Sequence, residues 1–204
     1  MTTVNSYLKK QLNYIDFGSL WAPRIWKRGV KFISFFTLVP IPVVLFSNEL
    51  SVGVTKEYFD NAIAEANGPH LWNIAASAGF LLFAALFLFP RSVRLAGLTK
   101  FTLDNALAVG ALSLGVIIGQ VLTALMKMQN ISSNQLFTLF ALTFFGSIYI
   151  FSANFILWYC SKLTTIRNQS AEIIFLTNIN GIDIKLRLVA FLIVLISFIA
   201  SIII

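Results

Sequence analysis

The chain has 204 residues, 58% of them hydrophobic and only 11% charged, against roughly 25% charged in a typical soluble domain, which excludes an ordinary soluble fold. One Cys and one His rule out a disulfide framework and a multi-ligand metal site within a single chain. The net charge of +7 matches the excess of Lys and Arg on the inner loops of membrane proteins, and no basic, aromatic stripe lies beyond the membrane flanks, so no nucleic-acid partner is expected.

Residues 1–29 read as a cytoplasmic arm. Val4, Leu8, Leu12 and Ile15 recur at helical spacing, with Tyr7 and Tyr14 beside them and Lys9, Lys10 and Gln11 on the opposite face. This predicts an amphipathic helix lying on the inner leaflet, with packing against the chain's own cytoplasmic loops as the alternative. Trp21 and Trp26 stand where an interfacial aromatic belt is expected. The first apolar stretch, 30–47, follows a long arm and is broken by Pro40 and Pro42, unlike the uninterrupted core of a cleaved export signal. Each proline removes a backbone donor, which predicts a kink, acting as a hinge or as a fixed bend.

Beyond it, a Thr cap and a terminal Asn-Gly-Pro outline a short outer-loop helix over 55–66, whose apolar side (Phe59, Ala62, Ile63 and Ala66) is expected to cap the bundle. His70 opens the second stretch, 71–90, as an interfacial residue. In the third, 103–126, Ala111, Gly115, Gly119 and Thr123 form a ridge of small residues at four-residue steps. Such a ridge permits close backbone contact, either with a helix of the same chain or across an oligomer. The fourth stretch, 136–160, carries Asn154, which with Gln120 is the strongest polar group at depth; in this arrangement their levels differ by roughly 16 Å, so they are not expected to pair. Cys160 reads as unmodified, and Asn130 lies too close to the membrane for its sequon to count. No ionisable residue lies deep in a span, which argues against charge-coupled transport.

Residues 171–188 carry Asn180-Gly181, the preferred type I′ turn, followed by strict alternation from Ile182 to Leu188, and so predict a cytoplasmic β-hairpin. Its apolar face and turn, Phe175, Ile179, Asn180, Gly181, Ile182, Ile184 and Leu186, are the expected docking surface for a partner. The fifth stretch, 186–204, holds a weaker small pair, Ser197 and Ser201.

With the N-terminus inside, all of the 15 Lys and Arg except Lys56 and Lys127 fall on the inner side, so five spans place the C-terminus outside. The expected fold is an all-α polytopic membrane bundle over 30–204, with five spans or four, the N-terminal amphipathic helix and the small hairpin. No nucleophile, base or phosphate loop stands at motif spacing, and no cofactor is expected. The expected function is a non-enzymatic inner-membrane subunit that contacts membrane lipids, forms homo-oligomers, and anchors or signals to a cytoplasmic protein partner. Small bacterial components of secretion, immunity or phage-defence systems share this general character, an analogy of architecture alone. The alternative is a channel-forming oligomer lined by Gln120, Asn154 and serines.

Overall fold

The computed structural model describes residues 2–15, 23–50, 67–127, 132–164 and 175–203. The expected outer-loop helix at 55–66, Trp21, Asn130 and residues 171–174 lie outside them, as do the side chains of His70, Ser197 and Ser201. Every described element is a helix: α1 Thr2–Leu12, α2 Pro23–Leu38, α3 Pro40–Leu50, α4 Asn67–Leu88, α5 Val93–Lys127, α6 Ser133–Leu163, α7 Phe175–Asn180 and α8 Ile184–Ile203. Among the described residues three helices are long and apolar enough to cross a membrane, Pro23–Phe46, Val93–Lys127 and Ser133–Leu163, and Trp72–Leu88 is a shorter apolar helix.

The helix ends follow from local chemistry. The break between α2 and α3 falls at Val39, because Pro40 has no N–H to donate and disfavours helical backbone in the residue before it. Pro42 lies in the first turn of α3, where a missing N–H leaves no bond unmade. Ser92 caps α5: its hydroxyl accepts the Leu95 N–H at 3.3 Å. Ser132 and Gln135 form a capping box at the start of α6, each side chain accepting the other's backbone N–H, so two orphan donors are satisfied reciprocally.

The chain divides into two compact units. One comprises Gly29–Asn73 and Ala106–Ile156. In it, the second half of α5 runs parallel to α2–α3, since contact positions advance together: Gly115 faces Thr37 and Pro40, and Gly119 faces Ile41 and Val44. The most apolar stretch of α6 contains no buried residue, and it presents Phe137, Phe140, Phe144, Phe145 and Tyr149 outward.

The other unit comprises Met1–Arg28, Ile74–Asn105 and Leu157–Ile204. There α4 folds back on the first half of α5, with Gly79 against Leu103. Leu86, Ala96 and Leu176 form a buried cluster, joined by Phe83, Leu95 and Phe175. The Phe83 and Phe175 rings stack at 6.3 Å, and Phe87 meets Phe175 edge-on at 6.2 Å.

The expected hairpin is corrected here. Residues 175–188 hold no strand; they form α7, a tight corner and the first turns of α8. At the corner, Gly181 N–H donates to Asn178 O and Ile182 N–H to Ile179 O, both at 3.0 Å. The φ of Gly181 lies outside the +20° to +160° range that a type I′ turn demands. Asp183 then starts α8: its carboxylate accepts the Lys185 N–H at 2.9 Å and its carbonyl accepts the Arg187 N–H at 3.2 Å. A lone hairpin is marginal in water, whereas a capped helix joins the alternating residues to the apolar run behind them.

Candidate functional site

In the first unit, the small-residue ridge meets the chain's own helix break. Ala111 is buried, and a Cβ on Gly115 would collide with the Thr37 carbonyl oxygen and stand 2.9 Å from Pro40 Cδ. A Cβ on Gly119 would come within 2.9 Å of Val44 Cβ. Thr123 is buried and donates its hydroxyl to Gly119 O at 2.9 Å. Pro40 therefore belongs to the surface on which the ridge rests. Alongside, α2, α5 and α6 enclose a lateral groove of about 520 Å³ lined by Ser34, Thr37, Leu114, Phe144, Ser147 and Phe151 among others. The Thr37 hydroxyl is enclosed and unpartnered, unlike those of Thr99, Thr102, Thr138 and Thr143, which each donate to the carbonyl four residues earlier.

Gln120 is exposed on α5. Asn154 is fully buried, and neither its oxygen nor its nitrogen has a hydrogen-bond partner. It stands with the Trp72 indole, also unpartnered, around Gly110, where any added Cβ would collide with both. The structure thus keeps Gln120 and Asn154 unbonded to each other.

In the second unit, the Ser161 hydroxyl donates to one Asp104 oxygen while Lys100 Nζ pairs with the other. Ser161 is fully buried, so this cluster clamps α6 to α5. Sequence reading missed it because Ser161 and Asp104 are 57 residues apart. The nearest available signal was the Lys100-Asp104 spacing of one helical turn.

The α7–α8 corner is where α1 docks. Tyr7 OH donates to Asp183 Oδ2 at 2.7 Å, and the Asp183 N–H donates to Gln11 Oε1 at 2.9 Å. A Cβ on Gly181 would stand 2.8 Å from Tyr14 Cδ1, so this glycine is needed for close approach of the arm. The Tyr7 hydrogen bond, followed by that from the Lys185 N–H, holds the Asp183 carboxyl below its ordinary range, and the same bond raises the Tyr7 phenol above its own.

The residues expected to form a docking strip are dispersed by the helices. Ile179 is buried, Phe175 joins the aromatic cluster, Asn180, Ile182 and Leu186 are half-buried, and Gly181 and Ile184 are exposed, the first in the corner and the second at the start of α8. No family model, curated protein or solved structure matches this chain.

Proposed function

We propose that this chain is a non-enzymatic inner-membrane subunit that anchors or signals to a cytoplasmic partner at the corner where α1 meets α7 and α8. The observation that carries this reading is the triple role of Asp183: it caps α8, accepts the Tyr7 hydroxyl and donates to Gln11. A partner that displaces the arm changes the cap of an apolar helix. The small-residue ridge is filled by α2–α3, so the proposal does not use it as an oligomer contact, and the burial of Asn154 gives the channel reading no support.

The proposal includes five spans with the N-terminus inside. Because α2–α3 and the second half of α5 run parallel, the chain must return to its starting side between them, and α4 is the described element available for that crossing. Then α6 supplies the fourth crossing and α8 the fifth.

A photoreactive residue at Asn180 tests the function in intact cells. A discrete adduct with one cytoplasmic protein is expected, stronger in Tyr7→Phe, where the corner is freed, and absent when the probe stands at Phe145. Failure of Asn180 to form a protein adduct in either background would remove the anchoring reading.

A further inference from the structure

Four hydroxyl groups line one groove of the first unit, and none is satisfied by the chain. Ser34 and Thr37 lie one turn apart on α2, and Ser147 and Ser152 meet the same groove from α6. Thr99, Thr102, Thr138 and Thr143 each donate to the carbonyl four residues earlier, the usual way a hydroxyl is satisfied inside a helix. The groove hydroxyls do not. Thr37, with 7% of its surface left, has an unpartnered hydroxyl, and the half-buried Ser34 and Ser147 and the exposed Ser152 make no hydrogen bond among the described residues. A fifth polar group belongs to the backbone. Leu38 lines the groove and ends α2, so its carbonyl is among the last four that a helix leaves without an intrahelical donor. Pro42, four residues on, has no N–H to supply. The other walls are apolar, Leu114 and Ile118 from α5 with Phe144, Ile148 and Phe151 from α6, and no ionisable residue lines the groove. Its volume of about 520 Å³ suits a small-molecule site, mostly apolar with a few placed polar groups.

We propose that this groove binds an uncharged lipid alcohol, an apolar chain ending in one hydroxyl. The chain lies against the leucine, isoleucine and phenylalanine walls. A hydroxyl donates and accepts at once, so it can donate to the Leu38 carbonyl while accepting from Ser34 or Thr37. An ionised headgroup finds no counter-charge in the lining, and burying an unpaired charge costs far more than burying a neutral polar group. A plain hydrocarbon chain leaves the carbonyl and the hydroxyls unmatched. The three helices that form the groove are the ones long and apolar enough to cross a membrane, the medium in which such a ligand dissolves. The site goes beyond the anchoring function: it rests on the membrane reading but uses no residue of the α7–α8 corner, so it stands whether or not a cytoplasmic protein binds there.

The test uses the full chain in phosphatidylcholine nanodiscs and three photoreactive probes of equal chain length: a diazirine analogue of hexadecanol, its methyl ether, and the parent alkane. Mass spectrometry of the digested protein locates the adducts. Those of the alcohol are expected to concentrate at 34–38 and 144–152, roughly tenfold over the outward Phe137 and Phe140, and unlabelled hexadecanol is expected to remove them. The ether accepts but cannot donate, so its enrichment falls by roughly fivefold, the weight of one hydrogen bond, and the alkane shows none. Ser34→Ala and Thr37→Val each lower the alcohol's enrichment and leave the alkane's distribution unchanged, whereas Thr37→Ser keeps the enrichment. If Thr37→Val does not reach the discs, Ser34→Ala carries the comparison. Equal groove labelling by alcohol and alkane would assign the groove to bilayer chains and overturn the proposal, as would alcohol labelling that ignores both substitutions. Failure of the parent chain to enter the discs would remove the membrane reading and this site with it, while adducts at Asn180 report on the anchoring function separately.

Discussion

Gly115 and Gly146 are both helical glycines with opposite surroundings. An added methyl at Gly115 meets the Thr37 carbonyl and the Pro40 ring, whereas at Gly146 nothing lies within 4 Å. Gly115→Ala is therefore expected to destabilise by roughly 1–3 kcal/mol, because a backbone oxygen cannot yield as a side chain can. Gly146→Ala is expected to stabilise by up to about 1 kcal/mol through helix propensity. Thermal denaturation in detergent separates the two, and a shift of the same sign in both would mean that the ridge does not rest on α2–α3. Asn154 provides the converse case. Leaving a buried amide unpaired costs about 1–3 kcal/mol, so Asn154→Leu is expected to melt at the parent temperature or above. A clear loss of stability would show that the amide has a partner. The spacing of the ridge was legible in the sequence because a four-residue step is a property of one helix. What it packs on was not, because that depends on a proline break some 75 residues earlier, and the Asp104–Ser161 clamp was invisible for the same reason.

At the scale of elements, the corner between α7 and α8 shows how two readings of one pattern diverge. Alternation from Ile182 to Leu188 fits a strand, but the same residues continue into an apolar run through Ile203, and Asp183 stands where a helix needs its cap. The helix satisfies the backbone without a pairing partner, and that decides it. The consequence for Gly181→Val is specific. Valine there collides with Tyr14, so hydrogen exchange is expected to accelerate in α1 while α8 keeps its protection; accelerated exchange confined to 182–188 would bring the hairpin back. The pH dependence of docking follows from the two shifted groups. The Asp183 carboxyl is held low, so its contribution is present above its unfolded-state value and fades only as pH falls through the lower folded-state one. The Tyr7 phenol is held high, so its contribution is present below its ordinary range and is lost only as pH rises through the raised value. Exchange of the α1 amides should accordingly stay flat across mildly acidic and neutral pH, once corrected for intrinsic rates. Loosening near neutrality would mean that another group controls the arm.

For the whole molecule, composition was enough to anticipate a chain of helices, three of them among the described residues long and apolar enough to cross a membrane, because burial in lipid would constrain every span alike. The number of spans was less legible. It depends on α4 and α8, and α4 packs on an α5 of 35 residues, about 52 Å long at the helical rise and well beyond the roughly 30 Å of a hydrocarbon core. Length therefore does not say which turns of α5 lie in lipid, but direction does constrain the path. In the proposed arrangement, parallel α2–α3 and α5 imply a return crossing between them, and a crossing by α6 would bring the chain back to the side of Arg94. Only α8 then decides where the C-terminus lies. Single cysteines in a Cys160→Ser background read this out with an impermeant reagent. Cysteines at Asp60 and Ser132 are expected to react in intact cells, and one at Arg94 only after lysis. A cysteine at Ile204 reacts in intact cells if α8 crosses and only after lysis if it lies along the inner surface, which would leave four spans. Labelling of Arg94 in intact cells would invert the orientation, placing the Asp183 corner outside and with it every cytoplasmic role assigned to α1.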